Sequence, residues 1–321
     1  MAAGSYYRTT GKVTAAIVTA GAGASNAITG VLCNWADSIP CIVISGQESA
    51  KYVNEHPHLR MLGTQGFNVS KMVKDTVKFS TIIKSKSQLL SSLEESYYIT
   101  TEGRPGPVWV DIPMDMQSAI LNKEDLIRYE LPVNYKEEYN LSNVVDLVKN
   151  SVRPVILAGH GVRLSKSQTE LKQLIEKLKI PVVLSWSGID NLPFDHDYNF
   201  GCPGLYGQRC ANFVIQNSDL LIVLGSRLSL PQTGYNINNF APEVKIVMVN
   251  NDEGELKKHS RYDITINSDC KEFINKLLLE DVTSCKNEWH QRCLKYKNDF
   301  PLVEKWFLDV FSGLTSMIGC L

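Results

Sequence analysis

The sequence predicts an α/β protein built from two doubly wound parallel sheets, and three observations carry that prediction. Apolar runs of strand length recur along the 321 residues. They are nearly continuous rather than alternating, the pattern of strands buried on both faces. Amphipathic stretches of helical period lie between them, so the order reads strand, helix, strand, helix.

The runs are AAIVTA from Ala15, CIVISG from Cys41, VWVDIP from Val108, PVILAG from Pro154, PVVLS from Pro181, LLIVLG from Leu220 and KIVMVN from Lys245. Apolar residues at helical spacing mark SQLLSSLEESYYITTEG from Ser87 and SQTELKQLIEKLK from Ser167 as helices. From Asn122 to Leu141 the chain reads NKEDLIRYELPVNYKEEYNL, polar, interrupted by Pro132 and without a period. That is the character of a linker. The expected organisation is a domain over 1–122, a linker over 123–142, a Rossmann-like domain over 143–280 and a tail over 281–321. The tail carries WHQRCLKYKNDFPLVEKW, which starts no new sheet, and ends in SGLTSMIGCL, too short for a membrane anchor.

A chain of this length exceeds one ordinary domain, and 44% apolar with 21% charged residues is a globular composition. A net charge of −1 gives nucleic acid or an anionic membrane little long-range attraction, so neither is an expected partner. The eight cysteines show no CxxC spacing and no companion histidine at metal-ligand intervals. They read as reduced thiols. MAAGSYYRTTGK lacks the apolar core of a signal peptide, and no stretch nears the roughly 20 apolar residues of a spanning helix, so the expected location is the cytoplasm.

Three glycine-bearing turns follow predicted strands. TAGAGASNAITG places Gly21 and Gly23 where a strand meets a helix near Ser25. Such a turn admits a ligand to the backbone and offers free N–H groups, or else simply lets helix and strand pack closely. LAGHGVRLS carries Gly159 and Gly161 without the third glycine of the dinucleotide fingerprint. VLGSRLS carries Gly225 and Arg227 at a strand's carboxyl end, where open α/β sheets bind ligands; an arginine paired with a surface acid is the other reading.

In order and spacing, these segments resemble one family over about residues 6 to 280. GKVTAAIVTAGAGASNAITGVLCNWADSIPCIVISGQ, LGTQGFNVSKMVKDTVKFS and TTEGRPGPVWVDIPMDMQ are similar to the pyrimidine-binding domain of thiamine-diphosphate enzymes of the acetolactate synthase type. The stretch from PVILAGHGV to TINSDCKEF, including GLYGQRCANFVIQNSDLLIVLGSR, resembles the family's central domain. The resemblance implies a cofactor turn at Gly21 and Ala22, Ala22 standing where the family usually has proline. It places Asn26 and Gln47 at the pyrimidine side of thiamine diphosphate, and Phe67 and Lys78 near a substrate channel. Read as residues alone, Asn26 is equally a helix cap, Gln47 a turn residue, Phe67 core packing and Lys78 a solvated charge.

The same resemblance places Gly159, Gly161, Ser185, Tyr206, Gly225, Ser226, Arg227 and Asp269 at positions that contact FAD in acetolactate synthases, with Trp186 beside them. Relatives of this fold hold FAD, ADP or nothing there. GSRLSLPQTGYN departs from the loop of the FAD-binding members, and Asn250 stands where they often carry an acid able to accept from a ribose hydroxyl. The family's acid-base glutamate lies just upstream of where this chain starts, and no glutamate precedes Glu48. The GDG sequence that helps to hold Mg²⁺ and the diphosphate is absent.

The expectation is an acetolactate synthase-like protein shortened at both ends. Its complete form would decarboxylate a 2-oxo acid such as pyruvate and ligate the resulting carbanion to an acceptor, and this chain alone would be inactive. Homo-oligomers, or association with a complete paralogue, are the expected assembly. The alternative from another class is a non-catalytic nucleotide-binding or regulatory module.

Overall fold

The computed structural model describes residues 1–301 except 57, 62, 134–137 and 285. It divides into two compact units, Met1–Tyr135 and Lys136–Leu321. The closing SGLTSMIGCL, Cys285 and Cys320 lie outside the described residues.

The first unit is a four-stranded parallel sheet: β1 (Ala15–Val18), β2 (Ile42–Gln47), β3 (Phe79–Ile82) and β4 (Val108–Pro113), in the order β1-β2-β4-β3. Ala15 to Val18 pair with Ile42 to Ser45, and Ile42 to Gln47 with Val108 to Pro113. Because alternate residues face opposite ways, Val43 and Trp109 share one face. There they meet Ala24, Val31, Val69, Val73 and Val77 in one buried cluster. The helix Leu89–Thr101 packs against β2, β3 and β4.

The second unit is a five-stranded parallel sheet: β5 (Pro154–Ala158), β6 (Val182–Leu184), β7 (Leu220–Leu224), β8 (Lys245–Asn250) and β9 (Ile264–Asn267). Their order is β6-β5-β7-β8-β9. Strands β5, β6 and β7 are buried at every position, as their unbroken apolar runs require. One layer of core lies under the helices Gln168–Leu178 and Cys270–Leu279, through Leu171, Leu174, Phe273 and Ile274. The opposite layer holds Phe200, Val214, Met248 and Trp289.

Trp289 belongs to the segment read as a tail. The helix Asn287–Asp299 buries Trp289 and Cys293, and the indole N–H of Trp289 donates to Pro154 O at 3.1 Å. His290 stacks on Tyr198 at 4.5 Å, and Phe213 meets Tyr296. This part of 281–321 is therefore a packed layer of the second unit. The sequence reading marked neither β3 nor β9; both are four residues long, half polar and at sheet edges.

Candidate functional sites at the strand ends

Open parallel sheets bind ligands beyond the carboxyl ends of their strands. In the first unit β1 runs into Gly21, whose φ of +65° only glycine adopts without strain. A Cβ there would stand 2.9 Å from Gln65 O, so this glycine is required by the close approach of the 63–68 segment. The short turn of helix Ala22–Ser25 follows, with Asn26 at its C-cap. Asn26 is exposed, and its side-chain amide makes no hydrogen bond among the described residues.

Gln47 ends β2 and is 6% exposed. Its Nε2 donates to Phe67 O at 2.8 Å, and its Oε1 accepts from the Glu48 N–H at 3.0 Å. The amide therefore ties the Phe67 segment to the end of the sheet, leaving the Phe67 ring 38% exposed. Gly21, Gln47 and Phe67 are thus gathered at one end, linked through Gln65 and Phe67.

Lys78 is not gathered there. It precedes β3, and its N–H donates to Pro107 O just before β4 begins, which places it at the amino ends of the strands. Its ammonium donates to Glu102 O, and burial lowers its pKa to about 8, the Glu102 charge opposing that shift. Spacing along the chain does not distinguish the two ends of a parallel sheet.

Two carboxylates that sequence reasoning passed over organise this unit. Asp115 accepts from Ser49 Oγ at 3.0 Å and from the Ala50 N–H at 2.9 Å, holding the start of helix Ala50–Glu55 against the end of β4. Asp111 lies fully buried within β4 and accepts from Trp109, Ser45 and Ser70. A charged residue inside VWVDIP was the available signal, since a buried acid needs such donors.

In the second unit the connections reverse direction between β5 and β7, which makes their carboxyl ends the topological switch point. Gly159 N–H donates to Leu224 O at 2.8 Å and Gly161 N–H to Gly225 O at 2.9 Å. A Cβ on Gly161 would come within 2.6 Å of Gly225 Cα, and Gly225 has φ +57°. The three glycines are needed because two backbone turns touch. Ser185 joins them, its N–H donating to Ala158 O at 3.0 Å.

Ser226 is buried and its carbonyl accepts from Asn250 Nδ2 at 3.4 Å. The other end of that amide accepts from the Asp252 N–H at 3.1 Å, so Asn250, 8% exposed, is engaged at both ends. Arg227 is exposed, its carbonyl held by Lys258 Nζ at 2.7 Å. Asp269 caps helix Cys270–Leu279, accepting from the Lys271 N–H at 2.8 Å. The Asn250 amide and the Asp269 carboxylate are thus engaged within the chain, and the three glycines serve the contact of two turns.

Beside this crevice opens a pocket of about 410 Å³ lined by Trp186, Ile189, Cys202, Tyr206, Gln208 and Arg209, among others. Trp186 and Tyr206 are 62% and 72% exposed, and their rings meet edge to face at 6.4 Å. Among the described residues, no group of three or more His, Cys, Asp or Glu side chains could hold a metal ion, and no helix is long and apolar enough to cross a membrane.

Two all-parallel sheets flanked by helices define an α/β protein of the class whose ligands, when bound, lie beyond the carboxyl ends of the strands. Two family models match the chain: the thiamine pyrophosphate enzyme N-terminal TPP binding domain over residues 1–70 and the thiamine pyrophosphate enzyme central domain over residues 141–277. The chain belongs to the thiamine pyrophosphate enzyme family. It is similar to the probable acetolactate synthase large subunit of Methanocaldococcus jannaschii, 32% identical over 94% of this chain and 52% of the relative. The chloroplastic acetolactate synthase of Arabidopsis thaliana is 31% identical over 95% of this chain and 46% of its own length. Isozyme 1 large subunit of Escherichia coli is 28% identical over 92% and 51%. The chain spans about half the length of the curated relatives it matches.

Proposed function

We propose that residues 1–122 supply the pyrimidine side, and 143–280 the central domain, of an acetolactate synthase-like enzyme. The observation that supports this reading best is the exposed, uncommitted amide of Asn26 on the glycine turn after β1, with Gln47 holding Phe67 at the same strand ends. Thiamine diphosphate, when bound, supplies an electron sink for decarboxylation of a 2-oxo acid. The chain's own residues bind and orient. Gly21 would let the cofactor approach the backbone, the Asn26 amide would hydrogen-bond its pyrimidine, and Gln47 fixes the wall that carries the Phe67 ring. The whole protein's reaction is then decarboxylation of a substrate such as pyruvate and transfer of the remaining two-carbon unit to an acceptor, in a cytoplasmic homo-oligomer or an assembly with a complete paralogue.

The 321 residues contain no GDG and no glutamate before Glu48, so the reading assigns them neither Mg²⁺ ligand nor general acid. The purified chain, given thiamine diphosphate, Mg²⁺ and pyruvate, is expected to bind the cofactor weakly, to lose that binding on Asn26→Ala, and to form no acetolactate. Acetolactate formation by the chain alone overturns the assignment of inactivity, and cofactor binding unchanged by Asn26→Ala overturns the assignment of the turn.

A second reading, a non-catalytic module that binds a nucleotide, is favoured by one observation: the pocket at Trp186 and Tyr206 presents two exposed aromatic rings. Titration with ADP and FAD separates it from the first, since it needs no 2-oxo acid chemistry.

A further inference from the structure

An edge strand leaves one side of its backbone unpaired, and in β1 alternate residues carry that open side. The Ile42 N–H donates to Thr14 O at 3.1 Å, so in this parallel ladder Thr14, Ala16 and Val18 face β2, while Ala15, Ile17 and Thr19 turn their N–H and C=O groups outward. Among the described residues no hydrogen bond reaches those outward groups. The side chains of all three are exposed, Ile17 to 81%, on the sheet face where the register sets Ala15 beside Ile42 and Ile17 beside Ile44. The helix Leu89–Thr101 packs against β2, β3 and β4, and the β1 end of that face stays open.

The other sheet edges are protected. Lys74, Asp75 and Lys78 precede β3 and Lys84 and Lys86 follow it, charges of the kind that keep an edge from pairing. β6 is covered by its own chain, the Val182 and Leu184 N–H groups donating to Tyr198 O and Gly201 O at 2.8 and 2.9 Å. β9 lies between Asp263 and Asp269. Around β1 there is no such guard, since from Val13 to Ala36 the sequence carries no charged residue. That stretch includes the helix Ile28–Ala36, whose outward Leu32 is half exposed. An uncharged edge has nothing to attract a charged partner and nothing to repel a copy of itself.

We propose that β1 pairs with β1 of a second copy of this chain, antiparallel, about a two-fold axis that passes through Ile17 normal to the sheet. That axis sets Ile17 against the partner subunit's Ile17 and Ala15 against the partner subunit's Thr19. Each such pair exchanges two backbone hydrogen bonds, because these are the outward-facing residues. The two four-stranded sheets become one, and the paired Ile17 side chains cover each other on the open face, flanked by Ile42 and Ile44 of each copy. A two-fold contact closes at two copies, and the lysine-flanked β3 edges stop the sheet from growing further. The inference rests on the self-association in the first functional reading and names its surface; it takes nothing from the cofactor chemistry.

Sedimentation velocity of the whole chain over a concentration series up to about 100 µM, a range that detects weak association, should show a monomer–dimer equilibrium. Ile17→Lys puts a charge on the edge at a position too exposed to disturb the core, and should weaken the dimer by about tenfold or more. Leu279→Lys, comparably exposed and in the second unit, should leave it unchanged. In a Cys33→Ser background, Ile17→Cys should give a dimer on mild oxidation with its disulfide mapped to position 17, since residues so paired stand about 5.5 Å apart at Cα, within disulfide reach. A chain that stays monomeric throughout overturns the homo-oligomer of the first reading and this surface with it. A dimer that Ile17→Lys leaves intact, or that Leu279→Lys weakens equally, keeps self-association and overturns β1 as its surface. A dimer weakened by Ile17→Lys alone but lacking the disulfide at position 17 overturns the two-fold register.

Discussion

Trp109 donates its indole N–H to the carboxylate of Asp111 at 2.8 Å, two residues along the same buried strand. Period-two geometry puts both on one face, and the parallel register lays Ser45 of β2 beside Asp111. Ser45 and Ser70 add their hydroxyls, so a fully buried acid sits among three donors drawn from three segments.

Removing that acid strands its donors. Asp111→Ala is expected to destabilise the first unit by at least about 3 kcal/mol, because buried donors without an acceptor cost about 1–3 kcal/mol each. Burial raises the Asp111 carboxyl above its ordinary range, the three hydrogen bonds opposing the shift. The folded state therefore holds the proton to a higher pH than the unfolded chain. Stability contributed by this group falls as pH rises from the ordinary carboxylate pKa through the raised one. Urea unfolding of the wild type and of Asp111→Asn across that window should show a slope that the variant lacks.

Two glycines with similar backbone angles should respond differently to alanine. Gly225, at φ +57°, would place a Cβ 2.5 Å from Gly161 Cα and 2.8 Å from Cys270 Sγ. Gly225→Ala is expected to cost about 3 kcal/mol or more, strain and overpacking together. Gly11, at φ +68°, has nothing within 4 Å, and Gly11→Ala should cost only about 1 kcal/mol. Thermal unfolding of the pair checks the contrast, and equal losses would contradict the close approach of the two turns.

Lys78 supplies a second pH dependence, of opposite sign. Its folded pKa of about 8 lies below the ordinary 10.5, so above pH 8 the unfolded state binds more protons than the folded one. The penalty is fully present below pH 8 and is relieved as pH rises toward 10.5. Discounted for solvent access, the gain is on the order of 1 kcal/mol. Lys78→Met should abolish it in denaturation curves at pH 7.5 to 10.5, chosen to span that window.

The thiols should label unequally. Cys33 is exposed, whereas Cys270 and Cys293 are buried in the second unit and burial pushes both thiols far up. Thiolate, not thiol, reacts with alkylating reagents. Peptide-resolved mass spectrometry after brief iodoacetamide treatment at pH 8, a usual alkylation condition, should find Cys33 modified and those two protected until denaturant is added.

The apolar runs made β1, β2, β4, β5, β6, β7 and β8 legible; burial on both faces writes the continuous stretches of β4 to β8, whereas β1, an edge strand with Ile17 81% exposed, is apolar without being buried. Edge strands β3 and β9, FSTI and ITIN, carry no such mark: one partner and partial exposure tolerate Ser, Thr and Asn. The turns at Gly21, Gly159 and Gly225 were equally legible as strand ends. Their purpose was not, since nothing local shows that Gly161 touches Gly225 or that Gln65 crowds Gly21.

By itself, then, the sequence determined the α/β class, the parallel sheets and which turns close the strands, since each depends on hydrophobic period and on glycine within a few residues. Only the tertiary structure decided that Gln47 holds Phe67, that Lys78 lies at the opposite end of its sheet, and that Ser45 and Ser70 are drawn to Asp111. Those facts rest on strand order and register, which join residues tens of positions apart and leave no periodic trace along the chain.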